Sequence, residues 1–254
     1  MRFLHANEGS PALDDVTLGV IRSHDRGRTW STPTIINTLQ TIGVTDSKTD
    51  EPVRTGGIVP NIAVDPQTGI LYVVWQDSRF SGHERDGIAF STSRDGGLTW
   101  SAPVQINKAT RVQAFTASIA VTDDVIAVTY YDFRRDNRDP AVLLTDLWRI
   151  ISNNGGRTWR EAHVAGPFDM RTAPFASGFL VGDYEAVGHT QNDFLPFFVI
   201  ANSGNVSNRT DVFATPIESN DEADGAAVSE TSVVDRGWQQ RVNSHRESGR
   251  GDRH

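Results

Sequence analysis

Hydrophobic positions in this chain fall in short runs of four to nine residues, cut by Gly, Pro, Asp and Asn. Helical periodicity is weak throughout, and the runs favour β-branched and aromatic residues, as strands do. The stretch "PNIAVDPQTGILYVVWQDS" (60–78) predicts two strands joined by a Pro/Gly turn, with "GIAFSTS" (87–93) a third and "VQIN" (104–107) a fourth. The same order follows in "ASIAVTDDVIAVTYYD" (117–132), "LWRIIS" (147–152) and "AHVA" (162–165). A later unit offers "YEAVGHTQNDFLPFFVIA" (184–201) and "DVFATPI" (211–217), with no clear fourth strand. The first unit offers only "VTLGVIRS" (16–23) and "TIIN" (34–37).

One small turn recurs between the third and fourth strands. Ser23, Asp25, Gly27 and Trp30 in "SHDRGRTW" return as Ser93, Asp95, Gly97 and Trp100 in "SRDGGLTW". They return again, with one change, as Ser152, Asn154, Gly156 and Trp159 in "SNNGGRTW". Ser and Asp can satisfy the loop's own backbone, and Gly can take an angle closed to other residues. The Trp is expected to fill the gap between adjacent sheets. Because Asn154 accepts the same bonds as Asp25 and Asp95, the turn reads as structural rather than catalytic.

A quartet of strands repeated every 60 or so residues predicts an all-β fold, a β-propeller of four-stranded antiparallel blades. The chain spells about 3.5 to 4 blades: a partial blade over 1–42, whole blades over 50–108 and 111–166, and an incomplete blade over 170–217. Residues 218–254 read as a polar, disordered tail with Trp238 as its one anchor candidate. The "RGD" at 250–252 and the sequons at Asn205 and Asn208 read as chance matches.

The S/T-x-D-x-G-x-x-W turns resemble the Asp-box, or BNR repeat, of the sialidase (neuraminidase) superfamily. "VVWQDSR", "FDMRTAPFASGFLVGDYEAV" and "NRTDVFATPI" are similar to segments of bacterial exo-α-sialidase-like proteins, so the resemblance covers roughly residues 14–217. It implies a six-bladed propeller, which at this repeat length needs about 360 residues. A truncated piece of a longer protein is the favoured expectation. A four-bladed ring and an oligomer joined through open blade edges stay as alternatives.

In such blades the Asp-box turns mark the back, and the loops at the opposite ends form the front. On that side Asp77 and Arg79 end one second strand, and Asp132 and Arg134 end the next, followed by Arg135 and Asp136. Alternation lets each Asp share a side with the Arg two positions on. Asp15, Asp86, Asp146 and Asp211 are expected just before third strands, and Asp183, Tyr184 and Glu185 at the opening of the last unit. The resemblance implies a sialoglycan substrate, arginines that hold its carboxylate, a Tyr nucleophile helped by a Glu, and an Asp acid/base. The matching candidates are Arg79, Arg134, Arg171 and Asp183 for substrate binding, with Asp77, Asp132 and Tyr184 for catalysis. The chain lacks the F/Y-R-I-P segment that usually supplies the first arginine. Tyr184 and Glu185 are adjacent, so a strand would point them to opposite sides. The leading expectation from the resemblance is a sialidase-like glycoside hydrolase acting on sialic acid or related acidic glycans. The alternatives are a non-catalytic propeller that binds glycan or protein, or an inactive truncated fragment, and the Asp-x-Arg pairs can also be read as ties between neighbouring blades.

Composition narrows the partners. The 254 residues carry a net charge of −8, which argues against nucleic acid. There is no Cys, and the seven His show no metal-ligand spacing, so no cofactor is expected. No run approaches the roughly 20 apolar residues of a membrane-spanning helix. The N-terminal text has no secretory signal, and an extracellular location is implied by the resemblance alone.

Overall fold

The computed structural model describes residues 16–190 and 193–218. The expected tail, with Trp238 and the tripeptide at 250–252, lies outside the described residues, as does Asp15. In chain order the strands are β1 (Thr17–Val20), β2 (Thr34–Thr38), β3 (Val44–Thr45), β4 (Pro52–Arg54), β5 (Asn61–Val64), β6 (Leu71–Asp77) and β7 (Gly87–Ser93). They continue as β8 (Val104–Gln105), β9 (Ala114–Thr122), β10 (Val125–Asp132), β11 (Leu144–Ser152), β12 (Arg160–Asp169) and β13 (Phe179–Leu180). The last are β14 (Ala186–His189), β15 (Asp193–Ala201), β16 (Thr210–Ala214) and β17 (Ile217–Glu218). The only helical pieces among the described residues are two single 3-10 turns, Arg79–Ser81 and Met170–Thr172.

The strands form blades of the β-propeller kind. Strands β5-β6-β7-β8 make one four-stranded antiparallel sheet and β9-β10-β11-β12 the next, each in simple sequence order. Strands β1 and β2 supply an outer pair, with the first repeated turn between them. In the last unit β14, β15 and β16 pair in order, and β17 continues β16 in the same register against β15. The break falls at Pro216, whose missing N–H cannot join a ladder. What looks like a fourth strand is therefore the end of the third.

Apolar layers lie between consecutive sheets. Leu18, Val20 and Ile36 of the first pair pack with Val73, Trp75 and Ala89 of the β5–β8 sheet. Tyr72, Val74, Ile88 and Phe90 pack with Ile119, Val128, Tyr130 and Ile150 of the β9–β12 sheet. That sheet's other face gives Phe115, Tyr131 and Leu147 to a cluster with Phe198 of the last unit. Covered on both faces, β10 and β11 are buried along nearly their whole length, so their text reads as a continuous run rather than as an alternation.

One sheet has no counterpart in the sequence reading. Strand β4 pairs antiparallel with β3 and parallel with β13. Strands of two or three residues in Thr-, Asp- and Gly-rich text carry no period to detect. Two placements need correction. Asp146 and Asp211 lie inside β11 and β16, because those strands begin earlier than their apolar runs suggest; Asp86 does sit just before β7.

Candidate functional site

The three repeated turns share one bonding scheme. Gly27 N–H donates to Ser23 Oγ (2.7 Å), and Ser23 Oγ donates to Asp25 Oδ1 (2.8 Å). Asp25 then accepts from Thr29 N–H (2.8 Å) and the Thr29 hydroxyl (2.7 Å). Ser93, Asp95, Gly97 and Thr99 repeat this. At the third turn Asn154 Oδ1 accepts from Thr158 N–H (3.0 Å), while its Nδ2 donates to the Thr158 hydroxyl (2.7 Å). The Thr29 hydroxyl and backbone hold the Asp25 carboxyl down at about 2, and Thr99 depresses Asp95 likewise. Carboxylates so occupied have no proton to give at neutral pH. Trp159 presses edge-on against Phe90 of the preceding sheet (centroids 5.1 Å apart, planes at 83°), and Trp100 packs on the Leu18–Val20–Ile36 cluster. Trp30 departs from expectation: it is 51% exposed, with no preceding sheet among the described residues to receive it.

At the opposite ends of the strands the Asp-x-Arg pairs do meet, but not by strand alternation. Strands β6 and β10 end at the Asp, each Arg lies in the turn beyond, and its backbone N–H donates to the Asp two positions before it, so the pairs are closed upon themselves. Fully buried Asp77 accepts from Arg79 Nε (2.8 Å) and from Trp75 Nε1 (2.7 Å). A terminal nitrogen of Arg79 also donates to Asp77 Oδ2 (2.8 Å), and the guanidinium reaches Asn37 Oδ1 and the Thr38 carbonyl, both at 2.6 Å, and so ties the β5–β8 sheet to β2. Fully buried Asp132 accepts from Arg134 Nε (2.7 Å), and Arg134 also grips Glu161 with both terminal nitrogens. The Arg134 guanidinium lies 3.6 Å over the Trp148 ring, and Tyr130 donates to Glu161. Burial pushes the Asp132 carboxyl up to about 6 against the pull of Arg134. Burial also works to raise Glu161, yet the bonds from Arg134 and Tyr130 hold it below its usual value. Nearby, fully buried Asp146 bonds His163 Nε2 (2.7 Å) through Oδ1, and its Oδ2 has no partner among the described residues.

Arg171, on the Met170–Thr172 turn, binds Asp46 (2.9 Å), Thr49 (3.1 Å) and Glu51. Arg79, Arg134 and Arg171 therefore each answer to a separate set of carboxylates, and the structure does not bring them to a common partner. Glu161 and Asp46, which complete two of those sets, were missed; nothing in their local text marks them.

A different group gathers where the chain enters β9 and β14. The parallel pairing of β13 with β4 brings the segment around Asp183 against Arg54. Arg54 Nε donates to Asp183 Oδ1 (2.7 Å), and its terminal Nη2 donates to Oδ2 in a two-pronged pair. The approach requires Gly56, at φ +59°: a Cβ there would stand 2.0 Å from the Asp183 carbonyl oxygen. The Thr116 hydroxyl of β9 donates to the Thr55 carbonyl (3.0 Å) and fixes the same loop. Tyr184 projects outward, 75% exposed. Glu185 turns the other way and is buried, as adjacency predicts, so the two do not pair. Glu185 Oε1 accepts from the Thr129 hydroxyl (2.6 Å), Oε2 has no partner among the described residues, and burial pushes the carboxyl up to about 8. Beneath this loop Asp86 accepts from Thr41, Gln76 and the Ile42 N–H, and burial raises its carboxyl. Among the described residues no cluster of three or more His, Asp or Glu is placed to hold a metal, and no helix is long and apolar enough to cross a membrane.

No family model matches the chain, and no curated protein matches it in sequence. Solved structures do. An α-L-arabinanase of Penicillium chrysogenum, complexed with arabinobiose, is 15% identical with a TM-score of 0.48, over 84% of this chain and 57% of that one. The GH93 α-L-arabinofuranosidase of Fusarium graminearum, also with arabinobiose, is 14% identical with a TM-score of 0.43, over 77% and 52%. A family 117 glycoside hydrolase from Zobellia galactanivorans is 12% identical with a TM-score of 0.38, over 70% and 56%. The chain thus spans about half the length of these structures.

Proposed function

We propose that this chain is a carbohydrate-binding propeller module of glycosidase type, which takes its ligand at the Arg54–Asp183 pair and the Tyr184 that follows it in the chain. The observation that carries this reading is the exposed, planar Arg54–Asp183 pair beside an outward tyrosine. The pair keeps N–H donors and carboxylate lone pairs free for sugar hydroxyls, and the phenol ring offers an apolar face to the C–H side of a pyranose or furanose. Acidic glycans of the sialic type, implied by the repeated turns, are the first ligands to try, and arabinofuranosyl oligosaccharides the second.

Hydrolysis is the second reading, favoured by the exposure of Tyr184 and by an Asp132 carboxyl that burial raises to about 6. It assigns Tyr184 as nucleophile and Asp132 as acid/base, with Asp77 its counterpart in the preceding blade. It further requires a carboxylate to part from its arginine, which binding alone does not.

Calorimetric titration with sialyl and arabinofuranosyl oligosaccharides tests the proposal, run beside fluorogenic glycosides of both sugars. Binding that falls at least tenfold in Arg54→Ala and Tyr184→Ala, with unfolding midpoints unchanged, supports it. Binding that survives both changes overturns it. Turnover that survives Tyr184→Phe and Asp132→Asn removes the hydrolytic reading.

A further inference from the structure

Among the described residues, two contacts between consecutive sheets, that of the β1–β2 pair with β5–β8 and that of β5–β8 with β9–β12, share one recurring feature. The Trp of a blade's repeated turn, or the strands beside it, presses on the third strand of the blade before. Trp159 meets Phe90 of β7, and Trp100 meets the cluster that holds Val20 of β1. Phe90 and Val20 hold the same place, three residues before the serine of their own turns.

Two faces lack that cover among the described residues. At one end Trp30 and Ile35 stand 51% and 53% exposed. At the other, β15 and β16 turn Phe197 (44% exposed), Val212 (70%) and Ala214 to the outside. Phe197 and Ala214 are direct cross-strand partners, and Val212 lies two positions before Ala214 on the same side of β16, so the three form one apolar stripe. By the alternation of the third strand, Val212 and Ala214 occupy the side that Ile88 and Phe90 use to receive the next blade. One end thus presents the wedge of the recurring contact and the other presents its seat.

We propose that the Trp30 face docks on the Phe197–Val212–Ala214 stripe of a second copy of this chain, head to tail, continuing the blade-to-blade interface already repeated within it. Such a contact is heterologous: it joins unlike surfaces, and each copy carries both. Exposed apolar sheet faces that match each other invite this pairing.

The test is the mass of the full chain in solution by light scattering, from micromolar to hundreds of micromolar protein. The wild type should show at least twice the monomer mass at the upper concentrations. Trp30→Glu alone and Val212→Glu alone should each be monomeric, with thermal unfolding near that of the wild type because both side chains are exposed. Mixing the two variants should restore a species of twice the monomer mass, since one good wedge and one good seat remain between them. A wild type that stays monomeric throughout overturns the proposal. So does a mixture that stays monomeric while the wild type associates, because that result means like faces meet.

Discussion

Glu185→Gln isolates a single buried proton. The Glu185 carboxyl, enclosed between β10 and the entry to β14, has one donor and an unpartnered oxygen, and burial holds its proton up to about pH 8. In the unfolded chain the group ionises near 4.5. Between those two values the folded state binds one proton more than the unfolded state, so stability falls as pH rises. The slope is about 1.4 kcal/mol per pH unit, and the full interval amounts to about 5 kcal/mol, an upper bound because relaxation and water entry soften a buried charge. The stabilisation is complete below about pH 4.5 and gone above about pH 8. Glutamine keeps an acceptor for Thr129 and cannot ionise. Its own unsatisfied donors lower the whole curve by about 1–3 kcal/mol without tilting it. Urea unfolding of both proteins from pH 5 to pH 9 is the assay, read as the difference between them, which cancels every other titrating group. The variant should gain several kcal/mol on the wild type across that range. A difference that stays flat within about 0.5 kcal/mol, or that runs the other way, refutes the reasoning.

Two further outcomes follow from packing. Arg134→Ala leaves Asp132 and Glu161 in place without their cation, so chemical unfolding should show a loss of about 3–5 kcal/mol, with Arg134→Lys recovering only part because it lacks the two-pronged fork. Gly156→Ala forces a Cβ to within 2.5 Å of the Phe90 ring at φ +84° and should cost about 2–4 kcal/mol by the same measurement. In a Phe90→Ala background the clash disappears, and the cost of the same change should fall to about 1–2 kcal/mol.

The chain announces its blades and hides its site. Strands such as β6, β7 and β10 are legible because β-branched and aromatic runs sit between strong turn residues, and β7 falls on its seven-residue run without error. The three turns are legible because their side chains bond within eight residues of one another. The two-residue spacing also brings Asp132 and Arg134 together, through the turn that follows β10 rather than through alternation along it. It does not say whether such a pair faces a ligand or each other, and that depends on Glu161, 27 positions away. The Arg54–Asp183 pair is beyond sequence reading for the same reason, since two of the shortest strands in the protein make it. Trp30, alike in text to Trp100 and Trp159, differs only in what stands next to it.

The pairing of β4 with β13 has a consequence for how the protein comes into being. Arg54 and Asp183 lie 129 positions apart, with both complete blades between them. Closing so long a loop is entropically unfavourable until the intervening sheets have condensed, and contacts of large sequence separation form slowly. The Arg54–Asp183 clasp is accordingly among the last features the polypeptide acquires, so the sugar binding proposed for it should lag behind the recovery of β-structure whenever the chain refolds from denaturant.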